Sequence, residues 1–242
     1  MKEYVLVTAS SRGLGLEIAK ELSFSGYHII LTSRSKKNLK EAKKLLNPEL
    51  KHKSIKIDFA QDNIEKKLIQ KIQHLNICAI VHNFGTNLAE DKHPINTKVL
   101  EESIYNNFTV SVKINNALSQ SLVGKLGKII HIGSTASLHT KASPAYTLSK
   151  GLINTYVKNI SDVYIKNKIM ICALLPGILA HEGSVWAKKK QSDTLKYERV
   201  KLQQPLGRFL MPKDIASYVV DLVKQKSLAL SGSLIKLDAN DY

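Results

Sequence analysis

The chain has 242 residues, 43% of them hydrophobic, and a formal net charge of +16 at neutral pH. Without any low-complexity tract, that composition indicates a globular protein with a substantial core, of one large domain or two small ones. No apolar run reaches the roughly 18 residues that a membrane-crossing helix needs.

The N-terminus, "MKEYVLVTAS", enters a strand pattern at once and lacks the small-residue cleavage site of a secretory leader. The two cysteines, Cys78 and Cys172, lie in apolar strand-like runs and read as buried, inert thiols rather than a disulfide framework. A cytoplasmic protein is expected. The lysines punctuate helical segments ("SRSKKNLKEAKKLL", "EKKLIQKIQ", "AKKKQSDTLKYERVK") and do not gather on one aromatic-laced arm, which argues against nucleic acid as a partner. Solvated helix faces account for most of the charge, and the rest suits an anionic cofactor or substrate.

Read in chain order, short apolar runs alternate with helical patterns. The first strand, at 4–9, leads through "TASSRGLG" into a helix at 13–25. Gly13 and Gly15 stand where a strand turns into a helix, a place where backbone N–H groups can meet a pyrophosphate. A plain turn-to-helix junction would use the same two glycines. Alanine at position 9, where such loops commonly open with glycine, is expected to fit if it keeps a negative φ.

The second strand, at 27–33, ends in Ser33, Arg34 and Ser35 with no carboxylate to hold ribose hydroxyls. Arg34, joined by Arg12, therefore points to a 2′-phosphate and to NADP(H) over NAD(H). A helix at 35–46, a strand at 54–58, a helix at 61–74 and a strand at 77–83 follow. A long helix at 99–123 and a strand at 128–134 come next.

After that strand stands "GSTASLHTKASPAYTLSKGLINT", with a helix expected at 145–166. Tyr146 and Lys150 are four residues apart and share one helical face. A free tyrosine is a poor acid–base at neutral pH, and the neighbouring ammonium is expected to lower its pKa. Ser134, at the strand's end, can hydrogen-bond a reacting oxygen. A strand at 168–176 follows, and 178–210 breaks the rhythm as a long basic excursion. The last strand lies at 233–238. Apolar strands alternating with helices to the end predict an α/β Rossmann fold. It would be a doubly wound parallel sheet of about seven strands in one domain, 1–242, with 178–210 as a mobile lid.

On these residues the chain resembles the short-chain dehydrogenase/reductase family along essentially its whole length, and 3-oxoacyl-carrier-protein reductases among its members. The resemblance implies catalytic Asn107, Ser134, Tyr146 and Lys150. It implies cofactor contacts at Thr8, Ser10, Ser11, Arg12, Gly13, Leu14, Gly15, Arg34, Asp58, Phe59, Asn83, Gly85, Tyr146, Lys150, Pro176, Gly177 and Ile178, and no metal. The sequence departs from the family pattern at Ala9, at His82 and Phe84 of "HNFG", at His181 for a threonine, and at Asp238-Ala239-Asn240 for Asp-Gly-Gly.

The implied reaction interconverts a ketone and a secondary alcohol. Tyr146 exchanges the proton, Lys150 lowers its pKa and binds the nicotinamide ribose, and Ser134 orients the carbonyl. Asn107 positions a water. The substrate is a small carbonyl or alcohol compound, with an oxoacyl thioester on an acidic carrier, a sugar and a sugar acid all open. The lysine-rich excursion reads equally as an anion-binding lid or as a solvated amphipathic cover. The family also implies a homo-oligomer, tetramer or dimer, through the long helices. A catalytically silent nucleotide sensor or scaffold on the same fold is the rival reading.

Overall fold

The computed structural model describes residues 2–61, 63–139 and 142–240. Positions 1, 62, 140, 141, 241 and 242 lie outside the described residues. They include Asp62 of the helix expected at 61–74 and both ends of the expected 1–242 domain.

The apolar runs form β1 (Tyr4–Val7), β2 (His28–Ser33), β3 (Lys53–Lys56), β4 (Ile77–His82), β5 (Gly127–Ile132), β6 (Ile169–Pro176) and β7 (Leu234–Leu237). Among the described residues these seven make one sheet in the order β3-β2-β1-β4-β5-β6-β7, parallel throughout. β1, β5 and β6 are buried along their whole length, as strands covered on both faces must be.

One face is covered by α1 (Gly13–Phe24), α2 (Lys36–Lys44) and α9 (Pro212–Lys224). Leu14, Ile18 and Leu22 recur every fourth residue of α1 and meet Ile215, Val219 and Val223 in one cluster. The other face carries α3 (Ile64–Ile72), α5 (Val110–Leu118) and α6 (Pro144–Lys166). There Ile64, Leu68 and Ile72 share a cluster with Ile114, Ile153 and Val157. Each such side chain contributes about 1.5–3 kcal/mol on leaving water. β1 sits where the strand order reverses, between β2 and β4, and the crevice at the carboxyl ends of such strands is the usual place for a ligand.

Two local departures from expectation have physical causes. The helix expected at 99–123 is divided into α4 (Thr97–Ile104), a π turn at Tyr105–Thr109, α5, and a 3₁₀ turn at Ser119–Leu122. Asn107 Nδ2 donates to the Ser103 carbonyl at 3.0 Å. Within the turn the chain widens to the five-residue spacing of a π helix, with an N–H at its Val110 end bonding the Tyr105 carbonyl.

Ala9 does not keep a negative φ; it stands at +51°. Its N–H donates to Thr32 Oγ1 at 2.9 Å and its carbonyl accepts from Asn83 Nδ2 at 3.2 Å, so two contacts hold the left-handed turn. Ala239 and Asn240, also standing where the family pattern has glycine, lie at +53° and +63°. Each alanine in this region costs roughly 1–2 kcal/mol.

The 178–210 excursion contains α7 (Val185–Ser192) and α8 (Thr194–Leu202). Its stem is a bridge between Leu179 and Leu210, with Ala180 N–H donating to the Leu210 carbonyl at 2.9 Å and Leu210 N–H to that of Ile178 at 3.0 Å.

The core is not wholly apolar. His82 and His131, paired in register on β4 and β5, stack with ring centroids 4.6 Å apart. His82 Nε2 donates to Asn115 Oδ1 at 2.7 Å, and Asn115 Nδ2 donates to His131 Nε2 at 3.3 Å and to the Tyr156 hydroxyl at 3.2 Å. Burial pushes His82 down to about 4 and His131 well below the usual imidazole range. Burial likewise pushes both thiols up to about 12, and no disulfide joins them.

Candidate active site

The loop from β1 to α1 is pinned from beneath. The Thr8 hydroxyl, 1% exposed, accepts from Asn83 N–H at 2.8 Å and from Phe84 N–H at 2.9 Å. Ser10 Oγ donates to the Val7 carbonyl at 2.8 Å and accepts from Thr32 N–H at 3.0 Å. Thr8 and Ser10 thus turn their hydroxyls into the fold. Ser11 Oγ instead meets Ser33 Oγ at 2.9 Å, tying the loop to the end of β2.

A Cβ on Gly15 would lie 2.5 Å from both the Ala9 carbonyl and Asn83 Nδ2. Only glycine permits that approach. Gly13 stands at φ +56°, and a Cβ there would lie 2.7 Å from His181 Cε1. Arg12 N-caps α1 without a side-chain bond to it, and the first turn holds no acid. Leu14 is buried in the core below.

This helix start, with Arg12 and Arg34 exposed at its rim, is chemically suited to a diphosphate and an additional phosphate. Of the other implied cofactor contacts, Asp58 accepts through Oδ1 from Ala60 N–H at 3.1 Å. Buried Phe59 packs against Phe84 with centroids 5.1 Å apart.

The residues expected to handle the proton converge from three elements. Ser134 follows β5, and its hydroxyl accepts from Ala136 N–H at 3.1 Å and pairs with the Tyr146 phenol. Tyr146 and Lys150 come from successive turns of α6, with Nζ 5.7 Å from the tyrosine ring centroid. Lys150 is 5% exposed and donates to the Ile132 carbonyl at 2.8 Å. A Cβ on Gly85 would lie 2.6 Å from Asn107 Oδ1 and 3.5 Å from Lys150 Nζ, so that glycine leaves room for the two to approach. Asn107 is fixed by its π turn and by Thr86, whose N–H donates to Oδ1 at 2.9 Å and whose carbonyl accepts from Nδ2 at 2.9 Å.

Burial raises the Tyr146 phenol above its ordinary range, and the Ser134 hydrogen bond pulls it back. Burial dominates, and Ser134 supplies the opposing effect. Burial also brings the lysine itself down to about 8.

On the far wall the Pro176 carbonyl accepts from Thr135 Oγ1 at 3.3 Å, and Gly177 N–H donates to the Leu237 carbonyl at 2.9 Å. Ile178 belongs to the stem of the excursion.

The sequence reading missed Asp91, Thr86 and Ser103. Ser103 Oγ meets Ser149 Oγ at 3.1 Å, next to Lys150. No motif marks these residues. Among the described residues no cluster of histidine, cysteine and carboxylate side chains could hold a metal, and no helix is long and apolar enough to cross a membrane.

A doubly wound parallel sheet with a glycine-bearing loop after β1 and a tyrosine–lysine pair beside it defines a Rossmann-type protein of the dehydrogenase class. The short chain dehydrogenase family model matches residues 3–192, and the chain belongs to that family. At that level it is an oxidoreductase acting between CH–OH and C=O groups.

A 3-oxoacyl-[acyl-carrier-protein] reductase of Aquifex aeolicus is 25% identical over 98% of this chain and 96% of its own. Some other curated relatives are longer, and the chain spans 60% of their length. L-Sorbose reductase from Gluconobacter frateurii, solved with NADPH and L-sorbose, superposes with a TM-score of 0.89 at 21% identity, covering 98% of this chain and 95% of that one. A 3-oxoacyl (acyl-carrier-protein) reductase from Agrobacterium tumefaciens, solved with NADP bound, superposes with a TM-score of 0.86 at 20% identity over 98% and 93%.

Proposed function

We propose that the chain is an NADP(H)-dependent reductase that converts a ketone to a secondary alcohol and runs the reverse oxidation on the same residues. The observation that carries this reading is the convergence of Ser134, Tyr146, Lys150 and Asn107 beside the loop of Gly13 and Gly15. A bound nicotinamide supplies the hydride.

The chain's own residues do the rest. The Tyr146 phenol gives its proton to the carbonyl oxygen while the Ser134 hydroxyl orients that oxygen. The Lys150 ammonium holds the ribose next to the ring and stabilises phenolate once the proton has left. Asn107, fixed next to Lys150, positions the water that resupplies the proton. Backbone N–H groups at Gly13, Leu14 and Gly15 take the diphosphate, and the guanidinium forks of Arg12 and Arg34 take the 2′-phosphate. The relatives solved with NADPH and NADP support the choice of cofactor.

The whole chain acts as one catalytic domain, with 178–210 as its lid. Trp186 and Tyr197 pack on Phe209 at 4.9 and 5.2 Å between centroids, and Lys190 lies over Tyr197 at 5.9 Å. This cover suits a substrate with an apolar arm and an anionic end, such as an oxoacyl thioester on an acidic carrier or a sugar acid. Leu148, Leu152 and Val163, apolar and exposed on α6, support a homodimer or tetramer.

The test is NADPH oxidation screened over oxoacyl thioesters, keto-sugars and small ketones, repeated with Tyr146→Phe. The variant should lose about a thousandfold or more of turnover while binding NADPH as the wild type does. Turnover retained in Tyr146→Phe refutes the mechanism. No turnover by the wild type on any carbonyl, with tight NADPH binding, favours a silent sensor.

A further inference from the structure

The first turn of α6 is capped from far away in the chain. Pro144 at its first position has no N–H, and the N-cap residue, Ser143, makes no side-chain bond to the helix. Thr147 N–H donates to the Ser143 carbonyl at 2.9 Å. That leaves two orphan donors, Ala145 N–H and Tyr146 N–H. Asp91 takes both: Oδ1 accepts from Ala145 at 2.8 Å and Oδ2 from Tyr146 at 2.8 Å. The carboxylate is 8% exposed. A buried anion at a helix N-terminus, satisfied by two charge-assisted bonds, is a fixed point in the fold.

We propose that Asp91 is a positioning residue for the reaction: it sets the depth and rotation of α6 and, through them, the place of the Tyr146 phenol. The role rests on the catalytic reading of Tyr146 given above. The segment that carries Asp91, between β4 and α4, also grips Asn107 through both polar groups of the Thr86 backbone. One stretch of chain therefore spans the two ends of the proton path. It holds Asn107 at Thr86 and Tyr146 at Asp91, and Asp91 N–H closes the turn between them on the Leu88 carbonyl at 3.2 Å. A slip of α6 by an ångström carries the phenol out of reach of a substrate oxygen, and misplacement on that scale costs on the order of a hundredfold in rate.

The experiment compares Asp91→Ala and Asp91→Asn with the wild type in two arms. In the first, hydrogen exchange is measured on the protein alone. Asp91→Ala should lose protection at Ala145 and Tyr146 and melt several degrees lower, at about 2–4 °C per kcal/mol lost with the two orphaned donors, while the middle of α6 stays close to wild type in protection. In the second, turnover is measured on whichever carbonyl the wild type reduces. Turnover (kcat) should fall on the order of tenfold to a hundredfold in Asp91→Ala, with the NADPH dissociation constant within about threefold of wild type. Asp91→Asn, which keeps one acceptor, should be intermediate.

Unchanged kcat in Asp91→Ala, or amides that stay protected, overturns the proposal. So does a parallel loss of NADPH binding and kcat, which would mean that the whole site had collapsed. If the wild type reduces no carbonyl, the catalytic reading fails. The exchange arm, with ultraviolet titration of the Tyr146 phenol against Tyr146→Phe, still decides the clamp. A phenol titrating identically in wild type and Asp91→Ala overturns it.

Discussion

Thr8→Val is the sharpest single perturbation of the cofactor loop, because it changes chemistry and not shape. The Thr8 hydroxyl accepts from two backbone donors, Asn83 N–H and Phe84 N–H, at 2.8 and 2.9 Å, and is 1% exposed. Valine fills the same volume and leaves both donors buried without a partner. Each such loss costs about 1–3 kcal/mol, while the added buried methyl returns about 1 kcal/mol. The net is about 3 kcal/mol, a large share of the 5–15 kcal/mol that holds a typical protein folded. With a urea m-value of about 3 kcal/mol per molar, the unfolding midpoint falls by about 1 M. Thr8→Ser keeps the acceptor and loses one methyl, so it should cost only about 1 kcal/mol. Circular dichroism through a urea series measures both. A Thr8→Val midpoint equal to or above that of Thr8→Ser would refute the view that this hydroxyl serves the backbone.

Lys150→Met should abolish turnover yet stabilise the protein at pH 7. The native lysine releases its proton near 8 because of burial, whereas the unfolded chain holds it to about 10.5. Below pH 8 both states are charged and the native state carries about 3 kcal/mol of penalty, which fades as pH rises from 8 towards 10.5. The variant's advantage in urea should therefore be about 2 kcal/mol at pH 7, after losing the bond to Ile132, and close to nil at pH 10. The buried histidines act in acid. Between pH 6.5 and 4 the unfolded chain takes up a proton that native His82 refuses, so stability falls as pH drops, by up to about 3 kcal/mol from this residue. His82→Asn should flatten that slope by as much as one proton, measured by urea titration at stepped pH. Arg34→Asp should lower the NADPH-to-NADH ratio of kcat/KM at least tenfold; an unchanged ratio removes Arg34 from the phosphate clamp.

The doubly wound sheet was legible because its strands are apolar on both faces and its helices carry four-residue repeats, as at Leu14, Ile18 and Leu22. Tyr146, Lys150 and Ser134 were legible because their spacing and the strand before them imply a shared site. Residues that act through the backbone were not. Asp91 lies far from α6 in sequence, and nothing in "AEDKHPI" marks it as a cap. Thr8 and Ser10 were named only as cofactor contacts that the family resemblance implies, whereas tertiary contacts turn their hydroxyls inward. Ala9 was expected to fit on the condition of a negative φ, the intrinsic preference of alanine. The bonds to Thr32 and Asn83 override that preference, and Ala239 and Asn240 repeat the pattern. At these positions the fold keeps the left-handed path of a glycine without the glycine. Asn107 could be named from its motif, but nothing in the local pattern marks the π turn on which it stands or its bonds to Thr86.

The two hydrogen bonds between the Ile178–Ala180 stem and Leu210 close the 178–210 excursion at its base. The entropy of closing a loop grows only with the logarithm of its length, so doubling the segment beyond such a stem costs about 0.6 kcal/mol. Closure entropy therefore sets little limit on the length of the stretch beyond that stem.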